Sequence, residues 1–125
     1  MQYKDILLVD DDTDDTEIFM EAVNALGKDI VFRSENNALK ALEGLRYSSQ
    51  LPDLIFLDYN MPMMNGKEFL MQIKSEQLLQ DIPVILISSP SEEFAKDLLK
   101  RNEIIHYISK PSNYNELITI LGGIL

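Results

Sequence analysis

Apolar residues along this chain follow two alternating rhythms. Unbroken runs at Ile6-Leu7-Leu8-Val9, Leu54-Ile55-Phe56-Leu57 and Pro83-Val84-Ile85-Leu86-Ile87 have the length and type of strands buried on both faces. Ile30 to Arg33 reads as a further short strand, and Ile104-Ile105-His106-Tyr107-Ile108-Ser109 as the last. Between these runs the apolar positions step at helical spacing. Ile18, Phe19, Ala22, Val23 and Leu26 form one helical face after Asp12, with Gly27 as its stop. Asn37 to Leu45 gives a second helix, with Ala38, Leu39, Ala41, Leu42 and Leu45 inward, and Tyr47 to Pro52 reads as a loop. Asn65 is placed to cap a third helix carrying Phe69, Leu70 and Ile73. Ser91 is placed to cap a fourth, with Glu92 and Glu93 suited to its first turn and Phe94, Leu98 and Leu99 as its core face. Asn113 begins the last helix, with Leu117, Ile118, Leu121 and Ile124. The paired glycines in Gly122-Gly123-Ile124-Leu125 weaken its end, which is expected to fray or to fold over a partner.

Five strands alternating with five helices imply a parallel sheet covered on both faces. The expected fold is α/β, a flavodoxin-like (βα)5 doubly wound sheet in the order 2-1-3-4-5. No linker or repeat divides residues 1–125, so one domain is expected, with no output domain attached. Ligands of such sheets sit outside the carboxyl ends of the strands, where the strand order reverses. Asp10-Asp11 end the first strand, Asp58 the third, Ser88 the fourth and Lys110 the fifth. A carboxylate ending a buried run is expected to leave the core and meet solvent. Three acids, a hydroxyl and an ammonium at neighbouring strand ends look like a site for a metal and a phosphoryl group.

Composition narrows the classes. The net charge of −10 argues against nucleic acid or an anionic membrane surface as partner. With no cysteine, disulfide frameworks and thiolate metal sites are excluded. No secretory signal is visible and no apolar run approaches the roughly 20 residues that span a bilayer, so a cytoplasmic location is expected.

Four marks in order resemble the receiver domain of two-component response regulators: the acidic pair in Leu8-Val9-Asp10-Asp11, the segment Asp58-Tyr59-Asn60-Met61-Pro62 with Gly66, Ser88 after the fourth strand, and Tyr107-Ile108-Ser109-Lys110-Pro111. Asp10-Asp11-Asp12-Thr13-Asp14-Asp15 and Leu51-Pro52-Asp53-Leu54 are similar to small stand-alone receivers, some paired with phytochrome-type kinases. The resemblance implies a phosphorylation-dependent switch in which a sensor histidine kinase or phosphotransfer protein delivers a phosphoryl group to Asp58. It implies Mg²⁺ held by Asp11, Asp58 and the backbone carbonyl of Asn60, with Asp10 acting through water. Lys110 would pair with the phosphoryl oxygens, Ser88 would report their presence, and Tyr107 would swing with Ser88. That motion would remodel the face of helix four, strand five and helix five, for a downstream protein or a second copy. Such a protein catalyses its own phosphorylation and dephosphorylation and turns over no external metabolite. Ser88 stands where threonine is commoner, keeping the hydroxyl, and Ser89 where a small residue such as alanine is usual. Tyr59, Asn60 and Pro90 flank the site and should govern how fast water reaches an aspartyl phosphate.

Each residue also has a plainer reading. Tyr107 on an apolar strand suits core or edge packing. Ser88 suits a turn and Lys110 a solvated loop. Asp12, Asp14 and Asp15 suit a helix start, where they cap it and meet its dipole. His106, the one histidine, is assigned no role, and Gly66 meets a backbone need near a turn. Two other chemistries use overlapping residues. A haloacid-dehalogenase-like phosphatase would place its nucleophile at Asp10, but Thr13 falls one position early and the chain is short for that class. A calcium loop would use Asp10, Asp12, Asp14 and Glu21, but Asp15 stands where glycine is required and a strand precedes the loop.

Overall fold

The computed structural model describes residues 3–59, 61, 64–87, 92–109 and 113–125. Its elements are β1 (Asp5–Val9), α1 (Thr13–Ala25), β2 (Val31–Glu35), α2 (Ala38–Tyr47), β3 (Leu54–Asp58), α3 (Gly66–Ser75), β4 (Val84–Ile87), α4 (Glu92–Lys100), β5 (His106–Ile108) and α5 (Tyr114–Ile124). The five strands are all parallel and lie in the order β2-β1-β3-β4-β5, the flavodoxin-like arrangement expected from the apolar pattern.

Period-two alternation divides the buried strand residues between two cores. Leu7, Val9, Ile55, Leu57 and Leu86 face one side, with Leu42, Phe69, Ile73 and Leu98 from α2, α3 and α4. Ile6, Leu8, Phe56, Ile85 and Ile108 face the other, with Phe19 and Val23 of α1 and Leu117 and Leu121 of α5. The Phe19 and Phe56 rings meet edge to face, 4.9 Å between centroids. Burying each such side chain is worth about 1.5–3 kcal/mol, so β1, β3 and β4 form a rigid platform for whatever stands at their ends. No helix among the described residues is long and apolar enough to cross a membrane.

The expected caps at Asp12 and Asn65 form, and Asn37 and Asn113, expected as the first residues of their helices, stand as their caps. Asp12 accepts from the Asp14 and Asp15 N–H groups, and Asn37, Asn65 and Asn113 cap α2, α3 and α5 in the same way. At Asn65 the cap is reciprocal, because the Glu68 side chain accepts from the Asn65 N–H. Gly27, with φ at +67°, follows α1 as the expected stop. The expected cap at Ser91 lies outside the described residues.

Three boundaries differ from the sequence reading. β2 runs over Val31–Glu35, later than Ile30 to Arg33, because this edge strand buries little and gives a weak apolar signal. Tyr47 closes α2 instead of opening a loop, with its side chain in solvent. The last helix does not fray at its glycines. It continues to Ile124, Leu125 donates its N–H to the Leu121 carbonyl at 2.8 Å, and both leucines are buried. Packing of an apolar face outweighs the glycine propensity. Ala95 is a fully buried α4 position that the sequence reading did not include.

At the amino ends of the strands, Arg33 grips Asp5. Its Nε donates to Asp5 Oδ1 at 2.9 Å, and Nη2 reaches Asp5 Oδ2 and the Gln50 carbonyl. Asp53 accepts from the Lys4 and Asp5 N–H groups at 3.0 and 3.1 Å. The bond to Asp5 raises the Arg33 pKa above its ordinary value, so the guanidinium stays charged throughout. This cluster ties β1, β2 and the entry to β3 together at the pole remote from the acids.

Candidate functional site

The acids stand at the carboxyl ends of neighbouring strands. Register sets Val9 opposite Leu57 and Asp58 opposite Ile87, which leaves Asp10 and Asp58 side by side above the sheet. One carboxylate oxygen from each of Asp10, Asp11 and Asp58 falls within 4.8 Å of the others. Asp11 is exposed, as expected of a strand-end acid. Asp10 and Asp58 are not: they are 3% and 2% exposed. The chain after β3 returns so that the Gly66 N–H bonds the Tyr59 carbonyl at 2.9 Å. After β1 the Asp12 N–H bonds Asp10 Oδ1 at 2.9 Å, in an aspartate-initiated turn that leads into α1.

The backbone around Asp58 is held on three sides. Asp58 ends β3, the Tyr59 N–H donates to the Ile87 carbonyl of β4 at 3.1 Å, and the Tyr59 carbonyl accepts from α3. A β-carbon on residue 66 would stand 2.7 Å from Tyr59 Cα and 3.0 Å from the Asp58 carbonyl. The need for glycine here is steric approach and not a left-handed φ, which refines the backbone role expected of Gly66. Beyond the site, the Tyr59 ring packs against Phe94 of α4, with centroids 5.4 Å apart and planes at 73°.

Three oxygen-bearing acids whose donor atoms converge, two of them withdrawn from water, form a hard-ligand set. Divalent cations that prefer oxygen fit it, and soft metals do not. Like charges at this spacing also repel, so a bound cation relieves the cluster. Asp10 additionally lines a cleft of about 410 Å³ between α1 and α5, floored by Phe19, Ile87 and Leu117, which gives the buried acid a path to solvent.

Asp10, Asp11 and Asp58 are thus brought together. Asn60, Ser88 and Lys110 lie outside the described residues. Tyr107 is half-buried on the edge strand β5, packed against the α2–α3–α4 core, and His106 beside it is exposed. The acids proposed for a calcium loop separate. Asp12 spends its carboxylate on the α1 N–H groups, and neither it nor Asp14 belongs to the converging cluster. The sequence reading missed the Tyr59–Phe94 pair. The one available signal was an aromatic directly after the strand-end acid, and sequence does not reveal which helix it meets.

The response regulator receiver domain family matches residues 6–122. The chain is 32% identical to the response regulator Rcp1 of Synechocystis sp., over 97% of this chain and 86% of that protein. It is 33% identical to the probable transcriptional regulator ycf29 of Pyropia yezoensis, covering all of this chain but 54% of that one. It spans about half or less of several such curated relatives. Among solved structures, the phosphorylated cyanobacterial phytochrome response regulator RcpA superposes with a TM-score of 0.83 at 30% identity, covering 98% of this chain and 91% of that one. The Mn²⁺-bound form of Rcp1 superposes with a TM-score of 0.81 at 29% identity, covering 97% and 91%.

Proposed function

This chain belongs to the response regulator receiver domain family, and on that premise we propose that it is a phosphorylation switch whose acceptor is Asp58. The observation that carries this reading is the buried Asp58 carboxylate, at a rigid strand end, converging with Asp10 and Asp11. Asp58 uses one oxygen to attack the phosphorus of a phosphohistidine on a sensor kinase or phosphotransfer protein. A new P–O bond forms, the P–N bond breaks, and its electron pair stays on the imidazole nitrogen. Hydrolysis later returns the carboxylate and inorganic phosphate. Phosphoryl transfer asks the protein for positioning and charge neutralisation more than for covalent help.

Asp11, Asp58 and the Asn60 carbonyl, with Asp10 through water, would hold Mg²⁺, which would supply positive charge to the incoming phosphoryl oxygens. Two close relatives in fold support this assignment: one was solved phosphorylated and the other with Mn²⁺. Lys110 adds a point charge on the same oxygens. Ser88 bonds one of them and Tyr107 follows, shifting the α4–β5–α5 face between two populations. The output is binding of a downstream protein or of a second copy through that face. The protein turns over no external metabolite and engages neither nucleic acid nor membrane.

The test is incubation of wild type and Asp58→Asn with acetyl phosphate or beryllofluoride, with and without Mg²⁺, read by intact mass and NMR. A Mg²⁺-dependent adduct in wild type that is absent from Asp58→Asn is expected. An adduct that persists in the variant would overturn the assignment of Asp58, and an adduct at Asp10 would favour the phosphatase chemistry instead.

A further inference from the structure

We infer that the ring contact between Tyr59 and Phe94 links the state of Asp58 to the first turns of α4, by a route separate from Ser88 and Tyr107. This inference rests on the phospho-acceptor reading of Asp58.

Three observations carry it. First, Tyr59 has little freedom to absorb a change at Asp58. It is covalently next to that residue, and its two backbone groups are bonded to β4 and α3 at 3.1 and 2.9 Å. The Gly66 backbone passes so close that a β-carbon on it would stand 2.7 Å from the Tyr59 α-carbon. A displacement of Asp58 therefore passes into the Tyr59 side chain instead of being lost in a loop.

Second, consecutive residues of an extended segment point to opposite faces. Tyr59 falls in phase with Ile55 and Leu57 and packs with the α2–α3–α4 core. The partner its ring meets is Phe94, edge to face, 5.4 Å away. Packed side chains with few rotamers behave as discrete states, so such a pair transmits small shifts.

Third, the hold of α4 on the body is narrow. Ala95 and Leu98 are its buried positions among the described residues, with Phe94 and Leu99 partly buried beside them. Phe94 is the first of these along α4, so the ring pair bears on the opening turns of the helix. An edge-to-face pair of this kind changes a conformational equilibrium by a factor of about 2 to 10. By linkage, whatever the adduct does to α4 through this contact, a change in α4 does to the adduct.

The experiment records amide shifts of Ala95 to Leu99 on saturation with beryllofluoride and Mg²⁺. It compares wild type, Tyr59→Leu, Phe94→Leu, the double variant and Tyr59→Phe. The adduct is expected to form in all five. The α4 shifts should fall by about twofold or more in each leucine variant. They should fall no further in the double variant, and should persist in Tyr59→Phe, which keeps the ring. Wild-type shifts in both leucine variants, or effects that add in the double variant, would overturn the link. So would loss of the adduct in Phe94→Leu, because the pair would then belong to the acceptor site itself. If wild type takes no adduct, the acceptor reading of Asp58 fails first and the link falls with it.

Discussion

Gly66 lies so close to Tyr59 that a β-carbon on it would stand 2.7 Å from the Tyr59 α-carbon. Both atoms in that contact are fixed by backbone, since the Gly66 N–H bonds the Tyr59 carbonyl and Tyr59 is pinned to β4. Gly66→Ala therefore sets two effects against each other. Alanine favours the helix by about 0.5–1 kcal/mol. The overlap with an unyielding backbone costs about 1–3 kcal/mol. The steric term wins, and a lower denaturant midpoint is expected, with slower phosphorylation because the chain after Asp58 must move. An unchanged midpoint would show that the loop yields at no cost.

What the sequence made legible follows from what generates strong periodic signals. β1, β3 and β4 are buried on both faces, so their apolar runs could be placed almost to the residue, and the acids at their ends followed from topology. The polar caps Asp12 and Asn65 were legible because the residue types that cap helices are few, whereas Asn37 and Asn113 read as the first residues of their helices. Burial of Asp10 and Asp58 was not legible. A strand-end carboxylate reads as solvent-facing, because its exposure depends on tertiary neighbours that the local pattern does not reveal. Equally hidden was the Asp5–Arg33–Asp53 cluster, whose members are far apart in the chain and meet through register alone.

That cluster yields a stability prediction independent of the site. Asp5 is largely buried and takes two contacts from Arg33, which also reaches the Gln50 carbonyl. Arg33→Met keeps most of the side-chain bulk but leaves these acceptors without their charged donor. Leaving buried polar groups unsatisfied costs about 1–3 kcal/mol, and a loss in that range is expected by urea denaturation. Phosphorylation of Asp58 at the opposite pole should be unaffected in the folded fraction. A loss below about 0.5 kcal/mol would mean that the bridge contributes no more than an ordinary surface ion pair.

Lys74 gives a pH dependence with a definite sign. Its ammonium, half-buried at the end of α3, donates to the Gln80 and Ile82 carbonyls at 3.1 and 3.3 Å. Burial holds its pKa below the ordinary value of 10.5, with Glu103 and Asp81 opposing the shift. The folded chain thus binds this proton less tightly than the unfolded chain. Between the folded pKa and 10.5 the unfolded state carries more protons, so stability rises with pH through that window and levels off above it. Lys74→Met should remove this part of the slope. Denaturant midpoints measured from about pH 8 upward check it, and equal slopes in the two proteins would sink the assignment.

The stability of the chain is expected to depend on a divalent cation through the acid cluster. Without one, the converging carboxylates of Asp10, Asp11 and Asp58 repel one another in a partly buried setting, where screening by water is weak. Asp58→Asn removes one of the three charges while keeping nearly the same shape. In chelator the variant should therefore unfold at a higher temperature than wild type. Added Mg²⁺ reverses the order. A ligand that binds the folded state alone stabilises it by about 2.7 kcal/mol at a concentration 100 times its dissociation constant. Wild type should gain stability of that order well above its dissociation constant for Mg²⁺, while Asp58→Asn and Asp11→Asn gain little because each has lost one of the three carboxylates that hold the ion. The two melting curves should thus cross as Mg²⁺ rises. Two outcomes would count against the cluster as a cation site. One is a wild type less stable than Asp58→Asn at every Mg²⁺ concentration. The other is an equal gain in all three proteins, which would place the bound cation elsewhere on this acidic surface.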